Sequence, residues 1–270
     1  MSNLYVSDLD GTLLRSDEIL SQFTIDTIND LTSKGMLFSY ATARSLVTAK
    51  KVTKGLDTHF PLIVYNGAFI MDNLTEEILV AHYFENDIAD VFEELFSSNI
   101  YPIVYAYIDG VEKFSYIPEK CTAGMQKFVQ SRNGDKRANV VNTLNELVKG
   151  NPFYITCIDT PEKLAPFYDK YKDKYHVVYQ RDIYTGEQWL EIMPRKASKS
   201  NAIKELKEKL KCERLISFGD GKNDIDMFQM SDECYAVKNA DDELKAIATK
   251  MIESNNNDGV AKWLTENVMA

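Results

Sequence analysis

Short apolar runs alternate with amphipathic stretches through the first part of the chain. Leu4-Tyr5-Val6 reads as a buried strand and runs into Asp8-Leu9-Asp10-Gly11-Thr12. Residues 21–34 predict a helix, with Phe23, Ile28 and Leu31 near helical spacing and Gly35 as the stop. Residues 36–41 predict a second strand ending at Thr42-Ala43-Arg44, and another helix follows through about Gly55. Residues 61–65 predict a third strand, ending in Asn66-Gly67. Strands alternating with helices imply a parallel sheet covered on both faces. Ligands gather at the carboxyl ends of the strands of such sheets, and Asp8, Thr42 and Asn66 all fall there.

Near Ala81 the pattern changes. Ile88, Val91, Phe92, Leu95 and Phe96 follow an i, i+3, i+4, i+7, i+8 spacing, an amphipathic helix. Residues 100–108 and 111–117 are β-prone and joined by Asp109-Gly110, a strong hairpin signal. Residues 153–158 predict a strand, and Pro161 opens a helix carrying Leu164, Phe167, Tyr168 and Tyr171. Residues 175–180 and 189–193 predict a strand pair around Thr185-Gly186. Hairpins have replaced βα units, so residues 83–189 are expected to form an α+β domain inserted into a core of residues 1–82 and 190–270. The first pattern resumes near Ile192. A helix over residues 200–211 is followed by a strand over 215–218, which ends in Gly219-Asp220-Gly221-Lys222-Asn223-Asp224. Tyr235-Ala236-Val237 is expected to be the last core strand, and Asp258 to cap a closing helix. The fold class is therefore α/β: a doubly wound, parallel, Rossmann-like core sheet with an inserted α+β cap.

Composition narrows the classes. The 270 residues carry a formal net charge of −10, which disfavours a general nucleic-acid binder, since that needs a basic face. Cys121, Cys157, Cys212 and Cys234 form no CxxC pair and read as reduced thiols of an intracellular protein. His59, His82 and His176 are equally dispersed, so a zinc site or a histidine triad has little support. No apolar run is long enough to span a bilayer, and the N-terminus lacks the marks of a signal peptide. A soluble cytoplasmic protein is expected, and the sequence sets no oligomeric state.

Asp8 and Asp10 are the first candidate chemistry. Two carboxylates at the end of a buried strand repel each other and resist desolvation. A cation offsets that cost, and Mg²⁺ is the natural candidate, because hard cations prefer carboxylate oxygens and water. With a metal in place, one Asp can act as nucleophile and the other as proton carrier. A plain Asp-Gly turn with two solvated side chains accounts for the same five residues.

Four polar signatures recur in order: Asp8-Leu9-Asp10-Gly11-Thr12, Thr42-Ala43-Arg44, Lys199, and Gly219 through Asp224. Their order and spacing resemble the haloacid-dehalogenase-like superfamily of phosphohydrolases, above all the Cof-like branch with a large cap inserted after the second motif. The resemblance covers essentially the whole chain. It implies that Asp8 is a nucleophile forming an aspartyl-phosphate, and that Asp10 is the general acid and then the base. It implies Mg²⁺ as cofactor, held by Asp8, the backbone carbonyl of Asp10, and Asp220, with Asp224 supporting the metal or its waters. Phosphate oxygens would meet Thr42, the backbone amides near Leu9 and Ala43, Lys199 and Asn223. Ala43 stands where many relatives have Gly. Lys222 lies where the family varies, and it receives no role. Thr42 also reads as a helix N-cap, Lys199 as one more solvated lysine, and Asn223 and Asp224 as a polar helix start.

The resemblance implies a phosphatase acting on a small phosphorylated metabolite, a sugar phosphate or phosphorylated cofactor, with no nucleic acid and no membrane as partner. A phosphomutase is the enzymatic alternative. A receiver-like phosphoacceptor module is the non-enzymatic one, although receivers lack the second Asp of the pair and need no inserted domain. No GxxxxGK[ST] run is present to support a nucleotide-binding loop.

Overall fold

The computed structural model describes residues 2–85, 87–181 and 186–268. The chain divides into two compact units, Met1–Ala81 with Ala197–Ala270, and His82–Lys196. Five strands come first: β1 (Asn3–Asp8), β2 (Leu37–Ala41), β3 (Pro61–Val64), β4 (Phe69–Asp72) and β5 (Ile78–Ala81). The second unit contributes β6 (Ile103–Ile108), β7 (Val111–Tyr116), β8 (Ala138–Val140), β9 (Asn151–Asp159), β10 (His176–Arg181) and β11 (Gln188–Met193). Back in the first unit follow β12 (Arg214–Gly219), β13 (Glu233–Val237) and β14 (Lys250–Ile252).

In the first unit the strand order is β14-β13-β12-β1-β2-β3-β4-β5. Pairing is parallel from β14 to β3. Leu4 through Asp8 are all buried, as a strand covered on both faces requires. The chain passes from β1 to β2 on one side, while β12 flanks β1 on the other, so the order reverses at β1. That reversal is where doubly wound sheets open a crevice. Register aligns what the crevice holds: Asp8 lies level with Ala41, and Ser7 with Phe218. Asp8, Thr42 and Asp220 therefore leave the sheet at one edge.

Three helix starts near this edge use the same device. Ser21, Ser45 and Ser198 each accept a hydrogen bond from the backbone N–H three residues on, satisfying a donor that the helix cannot. The N-cap of helix Leu46–Val52 is thus Ser45 and not Thr42.

Several expectations need correction. β4 and β5 extend the sheet antiparallel beyond β3. β13 is not the last core strand, because β14 pairs with it in parallel. Asp258 makes no capping bond to helix Gly259–Asn267. Its carboxylate instead receives Arg15 Nε at 3.1 Å and Nη2 at 2.7 Å, tying the segment after β1 to the C-terminal helix. A boundary at 189/190 would cut β11, and the units divide instead at Lys196.

The second unit holds a six-stranded sheet in the order β10-β11-β9-β6-β7-β8, antiparallel except for β7 with β8. Val104, Ile155, Cys157, Leu190 and Ile192 form one core with Ile88, Phe92 and Leu95 of helix Ile88–Ser97. The β6–β7 turn has positive φ at Asp109 and Gly110, which matches the right-handed twist of its strands. Helix Ala123–Ser131 and strand β8 belong to a stretch for which the apolar pattern gives no element. Thr185 of the expected Thr185-Gly186 turn lies outside the described residues. Among the described residues no helix is long and apolar enough to cross a membrane.

Phe218 on β12 is fully buried, with ring centroids 5.8 Å from Tyr235 and 5.1 Å from Trp263. Phe218→Ala should cost about 3–5 kcal/mol, read from the denaturant midpoint and slope. A loss below about 1 kcal/mol would show that the three rings do not anchor β12 to the C-terminal helix.

Candidate active site

The carboxyl ends of β1 and β12 bring three aspartates together. Asp8, Asp220 and Asp224 each place a carboxylate oxygen within 4.8 Å of the others. Asp8 and Asp224 are buried, and Asp220 is partly so. Lys199, 6 % exposed, enters from the first turn of helix Lys199–Leu210. Its Nζ donates to Asp8 Oδ1 and, at 3.0 Å, to Asp224 Oδ1. The other Asp224 oxygen accepts from the backbone N–H groups of Asp220 and Gly221, both at 3.2 Å. Thr12 Oγ1 donates to Asp220 Oδ1 at 3.0 Å. Gly11, at φ +79°, passes so close to Asp220 that any Cβ would collide with the carboxylate.

The electrostatics follow from burial. Removal from solvent, then the charge of Asp224, pushes the Asp8 carboxyl well up, and Lys199 pulls it back. Burial and Asp224 push Asp220 up to about 6. Burial opposes the charged form of Lys199, but Asp224 and Asp8 outweigh it and hold the ammonium protonated. One ammonium among three carboxylates leaves excess negative charge in a low-dielectric edge. The donor set is all oxygen, so the residues fit a hard divalent cation such as Mg²⁺.

Asp10 stands apart from this cluster. Its side chain is half exposed and takes Arg44 Nε at 3.0 and 2.9 Å, one contact to each oxygen. Arg44 Nη2 also reaches Glu18 Oε2 at 3.1 Å. Two carboxylates thus share one guanidinium, whose pKa they raise.

The remaining expected residues vary. Thr42 is buried, and its Oγ1 accepts from the Arg44 N–H at 3.1 Å. Ala43 is exposed beside it. The side chain of Leu9 is fully buried, which leaves its main chain as the only part able to serve a ligand. Asn223 is exposed and makes no side-chain hydrogen bond among the described residues. The Asn66 N–H donates to the Thr42 carbonyl at 3.0 Å, and Gly67 packs against the Ser198 backbone. Sequence reasoning missed what Thr12 and Arg44 do. Both stand inside the motifs it quoted, and their partners are remote in sequence.

Known proteins resemble this chain along almost its whole length. A family model described as haloacid dehalogenase-like hydrolase matches residues 5–264. A Bacillus subtilis protein named 5-amino-6-(5-phospho-D-ribitylamino)uracil phosphatase YitU is 24 % identical over 275 residues, covering 97 % of this chain and 96 % of that one. A crystal structure of a Thermotoga maritima protein superposes with a TM-score of 0.80 at 28 % identity, covering 100 % of this chain and 99 % of that one. A haloacid dehalogenase-like hydrolase from B. subtilis has the same fold, with a TM-score of 0.74 at 22 % identity and coverage of 98 % and 99 %.

The raised Asp220 pKa gives stability a direction with pH. An unfolded Asp titrates near 3.8 and the folded, metal-free Asp220 near 6. Between those values the folded state holds more protons than the unfolded chain, so stability falls as pH rises through the window. The Asp220 share is roughly 2–3 kcal/mol. Carboxylates held low, such as Asp72 and Asp258, slope the other way and are common to both proteins. Melting curves in chelator from about pH 4 to about pH 6.5 should therefore show the stability of wild type relative to Asp220→Asn falling as pH rises. Parallel curves for the two proteins would remove Asp220 from the strained cluster.

Proposed function

The chain belongs to the haloacid dehalogenase-like hydrolases, and we propose that it is a Mg²⁺-dependent phosphatase of small phosphomonoesters, acting through an aspartyl-phosphate. The observation that carries the reading is the buried Asp8–Lys199–Asp224 arrangement, with Asp220 beside it, at the reversal point of the sheet. Asp8 and Asp220, with the Asp10 carbonyl, would hold the metal, and Asp224 would support it. When bound, Mg²⁺ supplies positive charge that lets a carboxylate meet a phosphate dianion.

The chain's own groups do the rest. An Asp8 oxygen attacks phosphorus, the P–O ester bond breaks, and Asp10 gives a proton to the departing alkoxide. Asp10 then takes a proton from water, whose oxygen attacks phosphorus and releases inorganic phosphate with Asp8 restored. Lys199 holds Asp8 in one orientation and adds a fixed cation beside the transferring group. Thr42 and the amides near Leu9 and Ala43 serve the phosphoryl oxygens, and Asn223 adds a polar contact. The substrate class is a phosphorylated sugar or cofactor precursor. The B. subtilis relative, named for a phosphorylated ribitylaminouracil, supports that class.

The test is phosphate release over a panel of sugar phosphates, nucleotides and phosphorylated cofactors, with Mg²⁺ and with chelator. Metal-dependent release on one class is expected, and Asp8→Asn should abolish it while the protein still melts cooperatively. An isomerised sugar phosphate without free phosphate would make the protein a mutase. Asp10→Asn should cost about 10²–10⁴-fold on an alkyl phosphate and far less on nitrophenyl phosphate, whose leaving group needs no proton. Equal losses on both would refute the general-acid role.

A further inference from the structure

β13 is another strand whose carboxyl end bears polar residues, and the reaction as proposed uses none of them. Beyond Val237 the chain runs Lys238-Asn239-Ala240-Asp241. Asn239 Nδ2 donates to the Gly11 carbonyl at 2.8 Å. Two residues later the Asp241 N–H donates to the Asp220 carbonyl at 2.8 Å. One short segment therefore grips both loops that carry the clustered carboxylates. Gly11 already abuts the Asp220 carboxylate, and neighbouring Thr12 is bonded to it, so the seat of Gly11 sets where that carboxylate points.

The orientation of Asn239 is settled by its other partner. The Asn255 N–H donates to Asn239 Oδ1 at 3.0 Å, which leaves only the amide nitrogen to face Gly11. Asn255 is itself buried, and its Nδ2 donates to the Leu14 carbonyl at 2.9 Å. The Leu14 N–H closes the loop onto the Leu9 carbonyl at 2.9 Å. A relay that starts in the C-terminal segment thus fixes the Asp10–Leu14 turn at two carbonyls.

We propose that Asn239 is a positioning residue for the carboxylate cluster. It holds the Gly11 peptide against Asp220, so that Asp8 and Asp220 keep the spacing that receives a divalent cation. The inference rests on the metal-dependent phosphatase reading. Residues that orient metal ligands typically matter about 10–100-fold in metal affinity or activity.

The test compares Asn239→Ala with Asn256→Ala in the full chain. Asn256 is the control, since it makes two bonds to Ser16 of the same segment, at 3.0 and 2.9 Å, and touches neither Gly11 nor Asp220. Both positions are exposed, so both variants are expected to fold, with metal-free melting temperatures near wild type. Mg²⁺ is titrated against melting temperature, and kcat and KM are measured on nitrophenyl phosphate. Asn239→Ala should raise the Mg²⁺ Kd about tenfold and lower kcat about tenfold, with KM at saturating Mg²⁺ within about twofold. Asn256→Ala should match wild type in all three. Wild-type Mg²⁺ affinity in Asn239→Ala overturns the proposal, as does an equal loss in Asn256→Ala. A wild type that binds Mg²⁺ but releases no phosphate overturns the phosphatase reading alone, because the titration still reads Asn239. A wild type without any Mg²⁺ response overturns both.

Discussion

Lys199 places one positive charge between Asp8 and Asp224, where almost no solvent reaches. A buried carboxylate costs several kcal/mol unless a partner and hydrogen bonds offset it. Here the ammonium serves two carboxylates at once, and two backbone N–H groups serve the second oxygen of Asp224. Asp220 takes the Thr12 hydroxyl and, among the described residues, forms no direct ion pair, and burial with the charge of Asp224 holds its carboxyl up to about 6. The arrangement is one cation short. That shortage is the physical reason to expect a divalent metal, and it ties the stability of this sheet edge and the orientation of Asp8 to the same few atoms.

The sheet makes such a cluster buildable. Parallel strands covered on both faces give β1 a dry interior as far as Asp8, and the reversal of order at β1 opens the next position. Register then delivers loops from β2 and β12 at the same level. Glycine is required at position 11, since the turn both needs positive φ and presses on Asp220. A bulkier residue would have to move the carboxylate that the site depends on.

Much of this was legible in the sequence. Apolar runs ending in polar residues located β1, β2, β3 and β12, because a buried parallel strand must be apolar until it exits the sheet. The hairpin at Asp109-Gly110 was legible because its turn chemistry is local. β4, β5 and β14 were not, since they are short pieces at the sheet's margins whose pairing is decided by neighbours. Asp258 shows tertiary structure overriding a local preference: it resembles a cap, yet Arg15 claims its carboxylate. Asp8, Asp220, Asp224 and Lys199 lie close together although three separate stretches of the sequence supply them. That Arg44 would hold Asp10 was beyond reach, because the partner of a long side chain depends on a fold not yet known.

The central claim is that Asp8, oriented by Lys199, is the atom donor that bonds to phosphorus. Rapid acid quench during turnover, followed by peptide mass spectrometry, tests it directly. The account predicts phosphate covalently attached to Asp8 early in the reaction and lost as inorganic phosphate accumulates. Phosphate release with no protein-bound phosphate at any time, or with the label on another residue, would contradict it.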